Sequence, residues 1–239
     1  MDSLDLAAVA AVMLAGVMRG ITGFGGAMMM APPLSILLGP VPAVAIALAL
    51  EVAAAVVMFR DALPKANARM LAYLTVPAVF TVPFGGYLLL VLDAAIARRL
   101  IAGMVVLSSL ALMSGIRYSG TPRPSTSIAL GGVVGVLLGA TSVGAPPAIL
   151  YLLSGPDPPA VTRANLTVFV TAVSVIGLVV LIVAGAIPWT LWRSIGLLAL
   201  PYLAATWLGS HLFTKLNGQQ ARLLALSFML AMGVAGLIL

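Results

Sequence analysis

Gly16-Val-Met-Arg-Gly20-Ile-Thr22-Gly-Phe-Gly25-Gly26 interrupts the first long apolar run of this 239-residue chain, and Gly135-Val-Leu-Leu-Gly139-Ala-Thr141-Ser-Val-Gly144-Ala145 interrupts a later one. A shift of 119 positions superposes Gly16 on Gly135, Gly20 on Gly139, Thr22 on Thr141 and Gly25 on Gly144. Four coincidences in so short a window mark an internal duplication. Lipid tails offer no hydrogen-bond partners, so backbone that leaves the helix at membrane depth survives only inside protein or beside a polar cavity. Interrupted segments at matching places in two halves point to a transporter binding site between them.

Composition sets the class. With 62% hydrophobic residues, 8% charged and a mean hydropathy of +1.20, the chain cannot dress a soluble surface in charge. An all-α polytopic membrane protein is expected. The net charge of +6 sits in short connections between apolar runs, where it reads as a topology signal in a bilayer and not as a nucleic-acid surface. The absence of cysteine excludes disulfides and thiolate metal sites, and Met28, Met29 and Met30 read as adaptable filler with no metal role. Nothing resembles a nucleotide-binding loop, and no cofactor is expected. Met1-Asp-Ser-Leu-Asp5 lacks the basic start of a cleavable signal peptide, so the first apolar run is expected to persist in the mature protein.

Apolar stretches cover approximately 6–38, 43–59, 70–92, 99–116, 128–153, 165–186, 190–214 and 222–239. Farther along, the matching shift becomes 124, pairing Pro64 with Pro188, Arg69 with Arg193, Pro77 with Pro201, Gly85 with Gly209 and Arg98 with Arg222. The second half thus carries about five extra residues, placed between 154 and 188. The expected organisation is two membrane repeats, 1–120 and 121–239, with no soluble domain.

Each arm of a broken stretch is read as about 12 or 13 residues, too short for two crossings of about 20 residues each. One interrupted crossing divides the loop Lys and Arg residues almost evenly between the two sides. A re-entrant hairpin instead gathers Arg60, Lys65, Arg69, Arg117, Arg123, Arg163, Lys215 and Arg222 on one side, leaving Arg98, Arg99 and Arg193 opposite. That bias favours the hairpin. Each repeat then holds a broken or re-entrant helix plus three transmembrane helices. An odd number of crossings inverts the second repeat and places both termini outside.

A helix restarting in mid-membrane presents unpaired N–H groups and the positive end of its dipole, which suit an anion. Thr22, Gly23, Gly25 and Gly26 form the first candidate cradle, and Thr141, Ser142, Gly144 and Ala145 the second. Thr141 and Ser142 are N-cap types, and Pro146 with Pro147 suits a first helical turn. Small residues that simply let helices pack closely are the competing explanation.

Arg19 lies one turn before Thr22, either as a substrate contact or in a structural ion pair. Glu51, the only glutamate, is either a proton carrier, since burial disfavours its charged form, or the partner of Arg19. Arg163 and Asn165 follow the loop 154–159 as further candidates, Arg163 also fitting the cytoplasmic edge. His211 reads as a packed or interfacial histidine, and Trp189 and Trp192 as an interfacial belt.

Gly20-Ile-Thr-Gly-Phe-Gly-Gly26 with Pro32-Pro-Leu34, Gly139-Ala-Thr-Ser-Val-Gly-Ala-Pro-Pro147 and Arg163-Ala-Asn165 resemble the TauE/SafE family of membrane transporters over nearly the whole chain. The resemblance implies movement of sulfur-containing anions such as sulfite, sulfoacetate or related organosulfonates, usually out of a bacterial cell across its inner membrane. Ser142 and Ala145 depart from the glycines expected there, which leaves the exact substrate open. Two other functions compete. A passive anion channel would use the same half-helices. An intramembrane serine protease would use Ser142 with His211 as base, although the Gly-x-Ser-x-Gly pattern lacks its first glycine. The expected partners are a small anion and the bilayer, without nucleic acid, and a homo-oligomer remains open.

Overall fold

The computed structural model describes residues 3–22, 24–115, 123–143, 146–153, 155, 157–212 and 218–238. They form α1 (Ser3–Thr22), α2 (Gly26–Leu38), α3 (Pro40–Ala62), α4 (Ala68–Val91), α5 (Ala94–Met113), α6 (Pro124–Thr141), α7 (Pro146–Leu153), α8 (Pro159–Val183), α9 (Trp189–Leu212) and α10 (Gly218–Ile238), with a 3-10 turn at Leu63–Lys65. No strand occurs among the described residues.

Local chemistry explains the starts. Pro40, Pro124, Pro146 and Pro159 open α3, α6, α7 and α8, where a missing N–H costs nothing. The Asn67 side chain accepts the Met70 N–H at 3.2 Å and begins α4, and Asp93 accepts the Ala95 N–H at 2.8 Å and begins α5. Five helices, α4, α5, α6, α8 and α9, are long and apolar enough to cross a bilayer among the described residues. A sixth span appears if Pro40–Ala55 and Met58–Lys65, bent by 58° at the break between them, count as one.

Both expected interruptions are breaks: α1 stops at Thr22 and α6 at Thr141. The arms are less equal than the sequence suggested, at 20 and 13 residues around the first break and 18 and 8 around the second. The helical run extends farther toward the N-terminal side because Gly16, Gly20, Gly135 and Gly139 do not stop a helix whose neighbour packs against them. The turn residues at the breaks are Gly25 at φ 87° and Ser142 at φ 56°, the latter the only described non-glycine residue with positive φ. Serine there costs about 1–2 kcal/mol relative to glycine, so the departure noted at Ser142 is a strained turn.

α3 and α8 pack on each other at the centre. Every residue of the run Ala43–Leu50 on α3 is buried, as suits a helix apolar all round. Around this pair, α1 lies on α9 and α6 lies on α4. The contacts are made through glycine notches: a Cβ on Gly16 or Gly20 would run into the backbone at Tyr202 or Thr206, and one on Gly135 or Gly139 into the backbone at Ala78 or Val82. Reciprocally, a Cβ on Gly209 would meet Val17 and one on Gly85 would meet Val136. These partners obey the same shifts of 119 and 124 that align the sequence. Phe80, Phe84 and Tyr87 of α4, and Trp189, Leu197 and Leu200 of α9, project outward as an apolar surface suited to lipid. Trp192 instead packs partly into the core.

Candidate functional site

At the first break the chain reverses. Thr22 ends α1 with its hydroxyl on the Met18 carbonyl at 2.8 Å and accepts the Phe24 N–H at 3.2 Å. α2 then packs back against α1. The second break repeats the device: Thr141 donates to the Leu137 carbonyl at 2.7 Å and accepts the Val143 N–H at 3.1 Å. The Ser142 hydroxyl donates to the Thr141 carbonyl at 2.6 Å. Thr141 and Ser142 are therefore not N-caps of the restarting helix. They terminate the arriving one, because a β-hydroxyl in the last turn finds the i−4 carbonyl at hand.

The helix restart at α2 is capped from elsewhere. Glu51 of α3 accepts the Ala27 N–H through Oε1 at 2.9 Å, while its Oε2 lies 2.9 Å from Arg19 Nε. The Tyr202 hydroxyl of α9 approaches Oε1 at 3.4 Å. Arg19 and Tyr202 are completely buried and Glu51 is 1% exposed. A carboxylate at a helix N-terminus meets the favourable end of the dipole, and an intramembrane charge is tolerable when so paired. Gly26 must be glycine here: a Cβ would stand 2.5 Å from both Glu51 Oε1 and the Tyr202 hydroxyl.

Arg163 of α8 reaches the same place from the other half of the chain, its Nη2 donating to the Gly20 carbonyl at 2.5 Å. It is half-buried and lies within electrostatic reach of Arg19. The described cluster at the first break therefore sets two guanidinium groups against one carboxylate.

The profile of the family described as Sulfite exporter TauE/SafE matches residues 8–236. The chain belongs to the TauE/SafE family. No curated protein and no solved structure gives a match. Together with the apolar helices, membership makes the chain a multi-pass membrane protein of a transporter family.

Of the residues singled out in this TauE/SafE chain, Arg19, Thr22, Gly25, Gly26, Glu51 and Arg163 meet at the first break. Thr141 and Ser142 sit at the second. Gly23, Gly144 and Ala145 lie outside the described residues. Asn165 does not join the cluster: its Oδ1 accepts the Asn67 N–H at 2.7 Å and its Nδ2 donates to Asp157 at 3.2 Å, so it ties the α3–α4 connection to the loop before α8. Asn165→Ala is expected to lower stability by about 1–3 kcal/mol, since it strips partners from polar groups, while leaving the KM for transport unchanged. Thermal unfolding in detergent paired with flux measurements checks this; a raised KM at unaltered stability would place Asn165 in the site instead. His211 is exposed and bonds the Trp207 carbonyl at 2.9 Å, whereas Ser142 is buried against its own helix end, so each member of the serine–histidine pair is engaged locally.

Sequence reasoning missed Tyr202. The available signal was a tyrosine beside Pro201 in an otherwise apolar run, a side chain whose O–H needs a partner when buried.

Proposed function

We propose that this protein is a secondary carrier of small sulfur-containing anions, sulfite, sulfoacetate or related organosulfonates, moving them out of a bacterial cell across the inner membrane. One observation carries the reading: Arg19 and Arg163, from opposite halves of the chain, converge on the first break beside Glu51. A sulfonate has three acceptor oxygens and no donor, so guanidinium groups suit it. Arg163, half-buried and held on a backbone carbonyl, is the first charge the substrate meets, ahead of the enclosed Arg19. Thr22 and Thr141 act indirectly by fixing the turns, since their hydroxyls serve their own helix ends.

The two halves act as inverted repeats, 1–120 and 121–239, with both termini outside. The paired glycine contacts at both shifts support the duplication, and the return of α2 along α1 supports a re-entrant first segment. Transport then proceeds by rocking one bundle against the other around the break.

Arg163→Gln is expected to reduce sulfite counterflow in proteoliposomes at least tenfold, with Arg163→Lys retaining part of it. Equal counterflow in wild type and Arg163→Gln would remove Arg163 from the site. Wild-type flux that neither saturates nor exchanges would make the protein a channel.

A further inference from the structure

Taking the protein as an anion carrier, we propose that Glu51 is an internal stand-in for the transported anion, which displaces it from Arg19 as Glu51 takes up a proton, so that each anion crosses with one proton.

The geometry of the buried trio leads there. Arg19 is completely enclosed and its Nε is 2.9 Å from Glu51 Oε2. An anion can take the Arg19 Nε edge only by displacing Glu51, and an ionised carboxylate displaced from its guanidinium inside an apolar core would be left as a buried, unpaired charge. Protonation resolves the conflict. The proton adds to the Glu51 oxygen that leaves Arg19, the anion's oxygen takes its place on the guanidinium, and the net charge of the site is the same before and after. No other bond forms or breaks.

Two details fit such an exchange. Glu51 Oε1, bonded to the Ala27 N–H at 2.9 Å, remains an acceptor when the other oxygen is protonated, so the start of α2 keeps its cap. The Tyr202 hydroxyl, 3.4 Å from the same Oε1, can donate to that oxygen whether Glu51 is ionised or protonated on the other one, and so serves Glu51 in both forms. Tyr202 is thus a positioning residue for the coupling group.

The exchange happens once per cycle because the second half has no equivalent pair. At the shift of 119, Leu138 stands where Arg19 does and Val170 where Glu51 does. Among the described residues, the ionisable groups around Glu51 are Arg19 from α1, Tyr202 from α9 and, behind Arg19, Arg163 from α8. α2 brings none. Arg60, Asp61, Lys65, Arg69, Tyr87 and Arg99, from α3, the 3-10 turn, α4 and α5, are exposed, and Tyr73 and Arg98 are partly so.

Proteoliposomes with labelled methanesulfonate, a monoanion, provide the test. Wild type should show counterflow and should accumulate methanesulfonate when the outside is acid. An imposed membrane potential should leave that accumulation unchanged, since proton and anion cancel. E51Q should lose at least tenfold of the accumulation driven by the pH gradient, measured relative to its own counterflow, and Y202F should shift the pH profile of the accumulation. Should E51Q fail to fold, the voltage response of wild type decides alone. Counterflow in wild type with voltage-driven, pH-indifferent accumulation overturns the proposal and leaves the carrier standing; no counterflow at all removes both.

Discussion

Replacing Arg19 with methionine is expected to destabilise the protein by about 3–5 kcal/mol, the usual cost of leaving one member of a buried ion pair alone. Glu51 would keep the Ala27 N–H and the Tyr202 hydroxyl but lose the only positive charge within salt-bridge distance among the described residues. The double variant Arg19→Met/Glu51→Gln should recover most of the loss. It removes both charges, and the glutamine amide still offers an oxygen to the Ala27 N–H. Thermal unfolding of wild type, single and double variants in detergent closes a mutant cycle. Additive losses, with no recovery in the double variant, would show that the two side chains are not energetically coupled. The double variant should also be unable to transport, since neither partner of the exchange remains.

Gly20→Ala and Gly139→Ala form the second pair of large effects. Each is expected to cost toward the upper end of the roughly 1–3 kcal/mol typical of overpacking, because the new Cβ meets the backbone of a neighbouring helix and no rotamer change can relieve it. Gly103 on α5 and Gly196 on α9 provide the contrast. A Cβ at either meets nothing within 4 Å, so alanine there should be neutral, or stabilising by up to about 1 kcal/mol through helix propensity. Equal tolerance at all four positions would mean that α1–α9 and α4–α6 do not pack at glycine distance.

The glycines illustrate how an alignment can be right for a reason only partly anticipated. Gly16, Gly20, Gly135 and Gly139 were legible as a repeat, and the repeat is physical: the residues they touch follow the same two shifts. Their task is helix contact, the explanation that competed with a binding role. The threonines behave similarly. Thr22 and Thr141 mark the breaks as expected, yet they close the arriving helices instead of opening the departing ones. A hydroxyl beside a break is visible in sequence, but the side of the break it serves depends on which carbonyl lies within reach.

Glu51 was open to two readings, proton carrier or partner of Arg19. The fold pairs it with Arg19, and the proposed proton exchange rests on that pairing. Asn165 shows the opposite outcome. Its place two residues after Arg163 suggested a shared site, but residues two apart on a helix face different ways, and Asn165 turns to the loops.

Hydropathy, glycine, proline and threonine are local quantities, expressed within about a turn of chain, so the sequence alone specified the membrane class, the duplication and the position of both helix breaks. Tyr202 beside Glu51, Arg163 on the Gly20 carbonyl and the glutamate cap on α2 join residues from different helices, in the first two cases more than a hundred positions apart. Such meetings depend on how all the helices settle against one another around α3 and α8, and no local preference encodes that packing. Only the tertiary structure could decide them.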